Sequence, residues 1–113
     1  MIYKVLTVAE WRGAQAAGEF RGSAVDLADG FVHFSTAGQV VETAARYFAG
    51  QTGLALLTVD TTRLGDELRW EPSRGGALFP HLYAALPLDA VIAEATLPAD
   101  QPVDVAVAAL LVD

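Results

Sequence analysis

One helix with clear start and stop signals, followed closely by an apolar run, constrains the fold of this chain most. Thr36 and Gln39 form the signature of a capping box, and Gly50 is a typical helix stop. Apolar residues recur between them at helical spacing: Val40, Val41, Ala44 and Phe48. The continuous run Leu54–Val59 is typical of a strand covered on both faces. The pattern predicts a helix over 37–49 packed on a sheet that contains Leu54–Val59.

The rest of the chain adds one helix and several strands. Thr7 and Glu10 form a second capping box and Gly18 is a natural stop, which predicts a helix over 8–17. Its apolar face groups three residues: Val8, Trp11 and Ala14. Short apolar segments predict further strands over 2–6, 31–35, 67–71, 78–83 and 90–97. The sum is a small α+β domain of two helices and about five or six strands.

Two features shape the predicted hairpin over 67–83. Arg74-Gly75-Gly76 is a turn signal between its strands. Pro80 lies inside the second strand, and because proline lacks a backbone N–H, it should confine that strand to a sheet edge or a bulge.

Composition excludes several classes of site and partner. The 14 acidic and 7 basic side chains give a formal charge of −7, which argues against general binding of nucleic acid or anionic membranes. The absence of cysteine excludes disulfides, thiolate catalysis and cysteine-bound zinc. Two histidines far apart in sequence make a poor metal site, so we expect no metal. Residues 1–6 lack the start of a signal peptide, and no apolar run approaches the ~18 residues of a membrane helix, which predicts a cytoplasmic protein.

A first polar cluster interrupts the strand predicted over 31–35. The two-residue period of a strand places His33 and Ser35 on one face, next to a helix that begins after Thr36. Such a place suits a ligand phosphate or a hydroxyl-rich sugar. The alternative is a half-buried His33 bonded to a backbone carbonyl, with Ser35 and Thr36 acting only as caps.

A second polar cluster lies on the hairpin. Arg69 and Glu71 share one strand face, as do His81 and Tyr83, and the turn could bring Glu71 close to His81. This carboxylate–imidazole pair would suit acid–base chemistry. The alternative is a surface Arg–Glu pair beside an aromatic hairpin packed on Trp70.

We predict that the two clusters meet in one concave site. His81 and Tyr83 should approach His33 there, with Glu71 or Arg69 at the rim. His33 should be partly accessible in this cleft rather than sealed in the core.

These clusters also carry a family resemblance. Four segments together resemble the bacterial family called domain of unknown function 952: Ile2-Tyr3-Lys4, Asp29-Gly30-Phe31-Val32-His33-Phe34-Ser35-Thr36 with Gln39, Leu68-Arg69-Trp70-Glu71 and Phe79-Pro80-His81-Leu82-Tyr83. The resemblance extends from Met1 to about Leu97, with Ala84 standing where the family tends to have glycine. It implies one domain over 1–97. The tail over 98–113 is left open as a strand, a helix or a frayed end, packed on the domain or free of it.

A more distant similarity concerns mechanism. The order His-apolar-Ser, amphipathic helix, then an apolar strand ending in Asp60 is similar to the RNA 2′-phosphotransferases and, through them, to the ADP-ribosyltransferase superfamily. That similarity implies a split, mostly antiparallel sheet with a cleft that binds NAD as a substrate. No other cofactor is indicated.

The superfamily's functional positions correspond to residues of this chain. Lys4 falls near the first-strand position, where the superfamily has His or Arg on the cofactor's ribose. His33 and Ser35 match the middle strand, and Glu71 or the His81–Tyr83 pair would supply the late-strand group. The implied catalytic residues are His33, Glu71 and His81. The implied substrate-binding residues are Lys4, Ser35, Thr36, Gln39, Arg69 and Tyr83.

Three functions remain open from the sequence. The first is an ADP-ribosyltransferase-like enzyme acting on NAD or an ADP-ribose-bearing small molecule. The second is a module that binds a nucleotide-like metabolite without turnover. The third is a structural or partner-binding domain in which His33 and His81 are core residues. The sequence gives no oligomeric state.

Overall fold

A computed structural model describes residues 1–111, which contain four helices and eight strands. The helices are α1 (Val8–Ala17), α2 (Ala24–Asp29), α3 (Ala37–Tyr47) and α4 (Val103–Leu110). The strands are β1 (Ile2–Thr7), β2 (Glu19–Phe20), β3 (Val32–His33), β4 (Leu54–Val59), β5 (Leu68–Pro72), β6 (Leu78–Leu82), β7 (Leu86–Pro87) and β8 (Val91–Thr96). Their pairings are antiparallel. The predicted α+β class is confirmed, but two helices and five or six strands were too few.

The largest sheet has the strand order β1-β4-β8 and forms the centre of the core. Ala55 and Leu57 of β4 are buried in one apolar cluster, which includes Trp11 of α1. Leu54 and Leu56 are buried in a second cluster, which includes residues of α3 and α4. The prediction that Leu54–Val59 is covered on both faces is confirmed.

The predicted start and apolar face of α3 are also confirmed. Thr36 and Gln39 form the capping box, with the Thr36 N–H donating to Gln39 Oε1 at 3.0 Å. Val40 and Ala44 are buried against β4, while Val41 and Phe48 pack partly buried beside them: the stripe predicted for this helix. The helix ends at Tyr47, slightly before the predicted limit of 49.

The predicted first helix is confirmed as α1. The Glu10 N–H donates to Thr7 Oγ1 at 3.0 Å, and the Thr7 N–H donates back to Glu10 Oε1 at 2.9 Å. At the other end, Gly18 has φ +90°, a left-handed conformation that glycine adopts without steric cost. Trp11 and Ala14 are buried, as the sequence pattern requires.

A smaller sheet with the order β3-β6-β5 carries the candidate site. The prediction that Pro80 keeps its strand at an edge or bulge is wrong, because β6 is the central strand. The Pro80 carbonyl accepts the Phe34 N–H at 3.0 Å. In an antiparallel pair, the N–H and C=O of one residue point toward the same neighbouring strand. The N–H that Pro80 lacks would therefore point toward Phe34, just beyond the end of β3.

The sequence pattern missed several short elements. α2 has six residues, and β2 and β7 pair over two residues each, which is too short for a recognisable hydrophobic period. The strand predicted over 31–35 is also shorter than expected. After His33 the chain leaves β6, and Ser35 pairs instead with Tyr3 of β1.

The predicted tail contains α4, which packs on α3. Its contact face consists of apolar residues: Val103, Ala106 and Val107. Residues 112–113 of that tail lie outside the described part of the chain. Within residues 1–111, no helix combines the length and apolar character needed to cross a bilayer.

Candidate functional site

A cavity of about 610 Å³ lies beside the small sheet. Its wall includes Lys4 of β1, Asp26 of α2, His33 of β3, Thr43 of α3 and His81 of β6. Cavities that hold small molecules typically span ~300–1,000 Å³, so this one has room for such a ligand. Five segments distant in sequence therefore contribute polar side chains to one concave surface.

Asp26 is the most heavily bonded group of this cavity and is only 1% exposed. Its Oδ2 lies 3.0 Å from Lys4 Nζ and accepts the Ser23 N–H at 2.8 Å. Its Oδ1 accepts the His33 backbone N–H at 3.1 Å and lies 2.6 Å from His33 Nδ1. Four donors thus surround one buried carboxylate, which locks α2 to β1 and β3.

These contacts shift the pKa values of Asp26 and Lys4. Burial alone would raise the pKa of Asp26, but the hydrogen bond from His33, the charge of Lys4 and two backbone N–H donors lower it to about 2. Burial lowers the pKa of Lys4, and the neighbouring Asp26 opposes that effect. Lys4 Nζ also donates to the His33 carbonyl at 2.8 Å. The ammonium of Lys4 therefore bonds to two groups of the protein itself, the Asp26 carboxylate and the His33 carbonyl.

His33 lies between two carboxylates at the cavity wall. Nδ1 contacts buried Asp26, while Nε2 lies 2.9 Å from Oδ2 of Asp29. The His33 side chain is 31% exposed, which confirms the prediction of a partly accessible imidazole in a cleft. Both ring nitrogens therefore face carboxylate oxygens, which only accept hydrogen bonds. Asp29 is itself 47% exposed, and a ligand hydroxyl can take its place on Nε2.

His81 has a carboxylate partner of its own. Its Nδ1 lies 2.8 Å from Glu71 Oε1, and the Tyr83 hydroxyl donates to that same oxygen at 2.7 Å. The predicted contact between Glu71 and His81 is confirmed. Hydrogen bonds from Tyr83 and then His81 lower the pKa of Glu71, and the same bond raises the pKa of Tyr83. The His81 side chain lines the cavity but is only 6% exposed, and Nε2 is the ring nitrogen that does not contact Glu71.

The two imidazoles are neighbours across the small sheet. His33 pairs directly with His81, and their ring centroids are 5.4 Å apart. The Phe31 ring stacks on His81 at 4.1 Å and also lies 4.5 Å from His33 and 5.1 Å from Tyr83. The predicted approach of His81 to His33 is confirmed, whereas Tyr83, which contacts the Phe31 ring, lies outside the cavity wall. The catalytic and binding roles given to these residues stay predictions.

The predicted site residues divide into two groups. Among the described residues, four of them line the cavity: Lys4, His33, Ser35 and His81. Five lie outside its wall: Thr36, Gln39, Arg69, Glu71 and Tyr83. Thr36 and Gln39 form the cap of α3, and Gln39 Nε2 donates to the Leu78 carbonyl at 2.8 Å. Arg69 packs over the Tyr83 ring at 4.8 Å, and Tyr83 bonds to Glu71, the partner of His81.

Sequence reasoning missed several residues of this site. Asp26 forms a capping box with Ser23, a signal that was present in the sequence but on a helix too short to be expected. Asp29 precedes the glycine that ends α2, and only the left-handed φ of +89° at Gly30 turns the chain back toward His33. Arg74 was interpreted only as part of a turn, yet it lines the cavity.

The arrangement suits recognition and stabilisation of charge. The carboxylates beside His33 favour a ligand that carries positive charge. Imidazole ring nitrogens can exchange protons with a ligand or bond to its sugar hydroxyls. Within residues 1–111, no group of three or more histidine and carboxylate side chains is arranged to hold a metal ion.

The comparisons with known proteins give a family and a close structural relative. The model of the family described as "Protein of unknown function (DUF952)" matches residues 5–94. None of the curated proteins matches the chain. The chain is 55% identical to protein CC0527 from Caulobacter crescentus, and the match covers 90% of each chain. The TM-score is 0.86 to the crystal structure and 0.78 to the solution NMR structure of that protein. The predicted resemblance to the family called domain of unknown function 952 is confirmed.

Proposed function

Because this chain belongs to the DUF952 family, whose description assigns no activity, we propose a function from the site itself: an ADP-ribosyltransferase-like enzyme acting on NAD or an ADP-ribose-bearing small molecule. The observation that supports it is the pair of carboxylate-bound imidazoles, 5.4 Å apart, on the wall of one cavity. Two titratable side chains converging in a cleft are typical of a reaction site.

The acidic end of the cavity would hold the ribose. A ribose offers adjacent hydroxyls that donate and accept hydrogen bonds. Asp29 and His33 Nε2 are the exposed partners for them, while Asp26 and Lys4 keep His33 in place from below. Lys4 thus serves as a positioning residue, because its ammonium already contacts Asp26 and the His33 carbonyl.

The reaction would break the glycosidic bond of the ribose. The C–N bond to nicotinamide cleaves with both electrons going to nitrogen, and positive charge develops on the sugar. The exposed carboxylate of Asp29 would stabilise that charge. An acceptor hydroxyl or water then bonds to the ribose carbon and releases its proton, which Nε2 of His81 would accept. Glu71 would balance the resulting imidazolium.

The apolar wall of the cavity would take the aromatic rings of such a ligand. Tyr3, Tyr47, Phe48 and Phe79 all line it. Flat aromatic faces stack on heteroaromatic rings and contribute about 0.5–1.5 kcal/mol beyond the area they bury. A ligand that combines a base, a ribose and charged groups matches this mixed surface.

A ligand screen followed by a turnover assay tests the proposal. Melting temperatures are measured with NAD, ADP-ribose and nicotinamide, and nicotinamide released from NAD is quantified by chromatography. A ligand at 100 times its Kd stabilises the native state by ~2.7 kcal/mol, which raises the melting temperature by several degrees. His33→Gln and His81→Gln should abolish release, while Glu94→Gln, on exposed β8, should leave it unchanged. No stabilisation by any of the three ligands would refute the proposal.

A binding module without turnover is the second candidate. The observation that favours it is the engagement of both His33 ring nitrogens by carboxylates, which leaves that ring no free nitrogen until Asp29 moves. Stabilisation by ADP-ribose without nicotinamide release at any pH between 5 and 9 would select this function over the enzyme.

A further inference from the structure

Arg74 brings a cation to the cavity from the turn between β5 and β6. Gly75 and Gly76 adopt φ +70° and +80°, so this turn depends on glycine, and it places Ser73 and Arg74 on the cavity wall. The Arg74 side chain is only 17% exposed. A largely buried guanidinium on a cavity wall is unusual unless an anion accompanies it.

The Arg74 guanidinium is held in a fixed position. It lies 4.9 Å over the Phe79 ring and 6.0 Å over the Tyr47 ring, and Nη2 donates to Thr43 Oγ1 at 3.2 Å. Aromatic faces favour a cation without neutralising it. The group is therefore preorganised, with its charge still to be balanced.

Among residues 1–111, the one carboxylate within 4 Å of Arg74 belongs to Glu42, which also contacts Arg46. Glu42 Oε2 lies 3.6 Å from Arg74 Nη2, which is beyond hydrogen-bond distance. Glu42 Oε1 already accepts from Arg46, whose Nε and Nη2 both lie 3.2 Å away. Glu42 is also 60% exposed, so water screens its charge. Two arginines and one carboxylate leave a positive charge at this end of the cavity.

Another part of the cavity wall is acidic. Lys4 is balanced there by Asp26, while Asp29 and Glu10 add negative charge. A ligand that contacts both parts of the wall should therefore place hydroxyls at Asp29 and an anion at Arg74. A phosphate ester of a sugar has this polarity, and the guanidinium fork matches phosphate oxygens bidentately.

We propose that Arg74 is the phosphate-binding residue of this cavity and that its ligands are phosphorylated ribosides rather than neutral nucleosides. This inference rests on the proposed function, because it places the phosphate of the same ligand. The hydroxyl of Ser73, which lines the same wall, would add a hydrogen bond to a phosphate oxygen.

Calorimetric titration with matched probes tests this assignment. ADP-ribose, AMP and adenosine are titrated into the wild-type protein and into Arg74→Gln, Arg74→Lys and Arg12→Gln. Arg12→Gln is the matched control. Arg12 is exposed on α1, and its replacement by Gln changes the net charge by the same amount as Arg74→Gln. Melting temperatures without ligand show that each variant is folded.

The expected result is a loss of phosphate-dependent affinity. Charge-assisted hydrogen bonds contribute enough that Arg74→Gln should weaken AMP and ADP-ribose binding at least about tenfold. Arg74→Lys should recover part of the loss, adenosine should bind more weakly than AMP, and Arg12→Gln should match the wild type.

The other outcomes separate the two proposals. If ADP-ribose binds and Arg74→Gln does not weaken it, the assignment of Arg74 is wrong while the proposed function stands. If AMP binds through Arg74 but ADP-ribose does not bind, the assignment stands and the proposed function fails. If no probe binds the wild type, both are overturned.

Discussion

Replacement of Asp26 by asparagine tests how the site is held together. In the described part of the chain, Asp26 is the one anion in contact with buried Lys4, and it also accepts hydrogen bonds from Ser23 and His33. Asparagine has nearly the same shape but removes the negative charge and turns an NH₂ donor toward other donors. Lys4, only 7% exposed, then remains as a buried cation without compensation.

The expected loss follows from this geometry. Removing one partner of a buried ion pair typically destabilises a protein by about 3–5 kcal/mol, a large part of the ~5–15 kcal/mol that stabilise a small domain. Asp26→Asn should therefore lower the free energy of unfolding by about 3–5 kcal/mol in urea denaturation. Asp66→Asn, at an exposed position, is the control and should change it by less than about 0.5 kcal/mol.

A double-mutant cycle shows whether the loss comes from the pair. Lys4→Met removes the cation, so the double variant Lys4→Met, Asp26→Asn should be more stable than the sum of the single losses predicts, by at least about 1 kcal/mol. A loss of less than about 1 kcal/mol for Asp26→Asn, or two single losses that simply add, would refute a stabilising role for the pair.

Three further predictions concern acid stability, ligand binding and backbone conformation. The folded-state pKa of Asp26, about 2, lies below its ordinary value of 3.8, so its contribution of roughly 2 kcal/mol is present above pH 4 and lost as pH falls toward 2. Urea denaturation between pH 5 and 2 should show that loss in the wild type and a smaller one in Asp26→Asn. His33→Gln should weaken ADP-ribose binding at least tenfold while lowering the free energy of unfolding by no more than about 1.5 kcal/mol, and a larger stability loss with unchanged affinity would identify a core histidine. Gly30→Ala should cost about 1 kcal/mol or more because φ is +89°, whereas Gly13→Ala in α1 should stabilise the protein by about 0.5–1 kcal/mol, and equal effects would contradict the role of the Gly30 conformation.

The longer regular elements could be predicted from the sequence. α3 and β4 each combine a strong hydrophobic period or run with clear end signals, and both were found where the pattern placed them. α2 could not be predicted in this way, because its six residues are held by tertiary contacts of Asp26 rather than by an apolar face. The central position of β6 in the small sheet was also missed. Proline normally lies in an edge strand or a bulge, and Pro80 fits a central strand because β3 ends early.

The candidate site was predictable in part. Alternation along the two strands placed His33, His81 and Tyr83 on matching faces, and the antiparallel register then brought them together. The charged side chains of the site that the sequence pattern missed lie outside these two strands. Asp26 and Arg74 lie on a short helix and on a turn, where no period indicates the direction of a side chain, so only the folded chain shows that both line the cavity.

The most direct test of the proposed ligand site is an NMR titration of the ¹⁵N-labelled protein with ADP-ribose. Amide shifts are followed residue by residue, so the measurement reports both binding and its place on the molecule. The proposal predicts that the largest shifts fall within residues 23–35 and 73–81, which contribute Asp26, His33, Arg74 and His81 to the cavity. An unchanged spectrum, or shifts confined to β8 and α4, whose residues do not line the cavity, would contradict it.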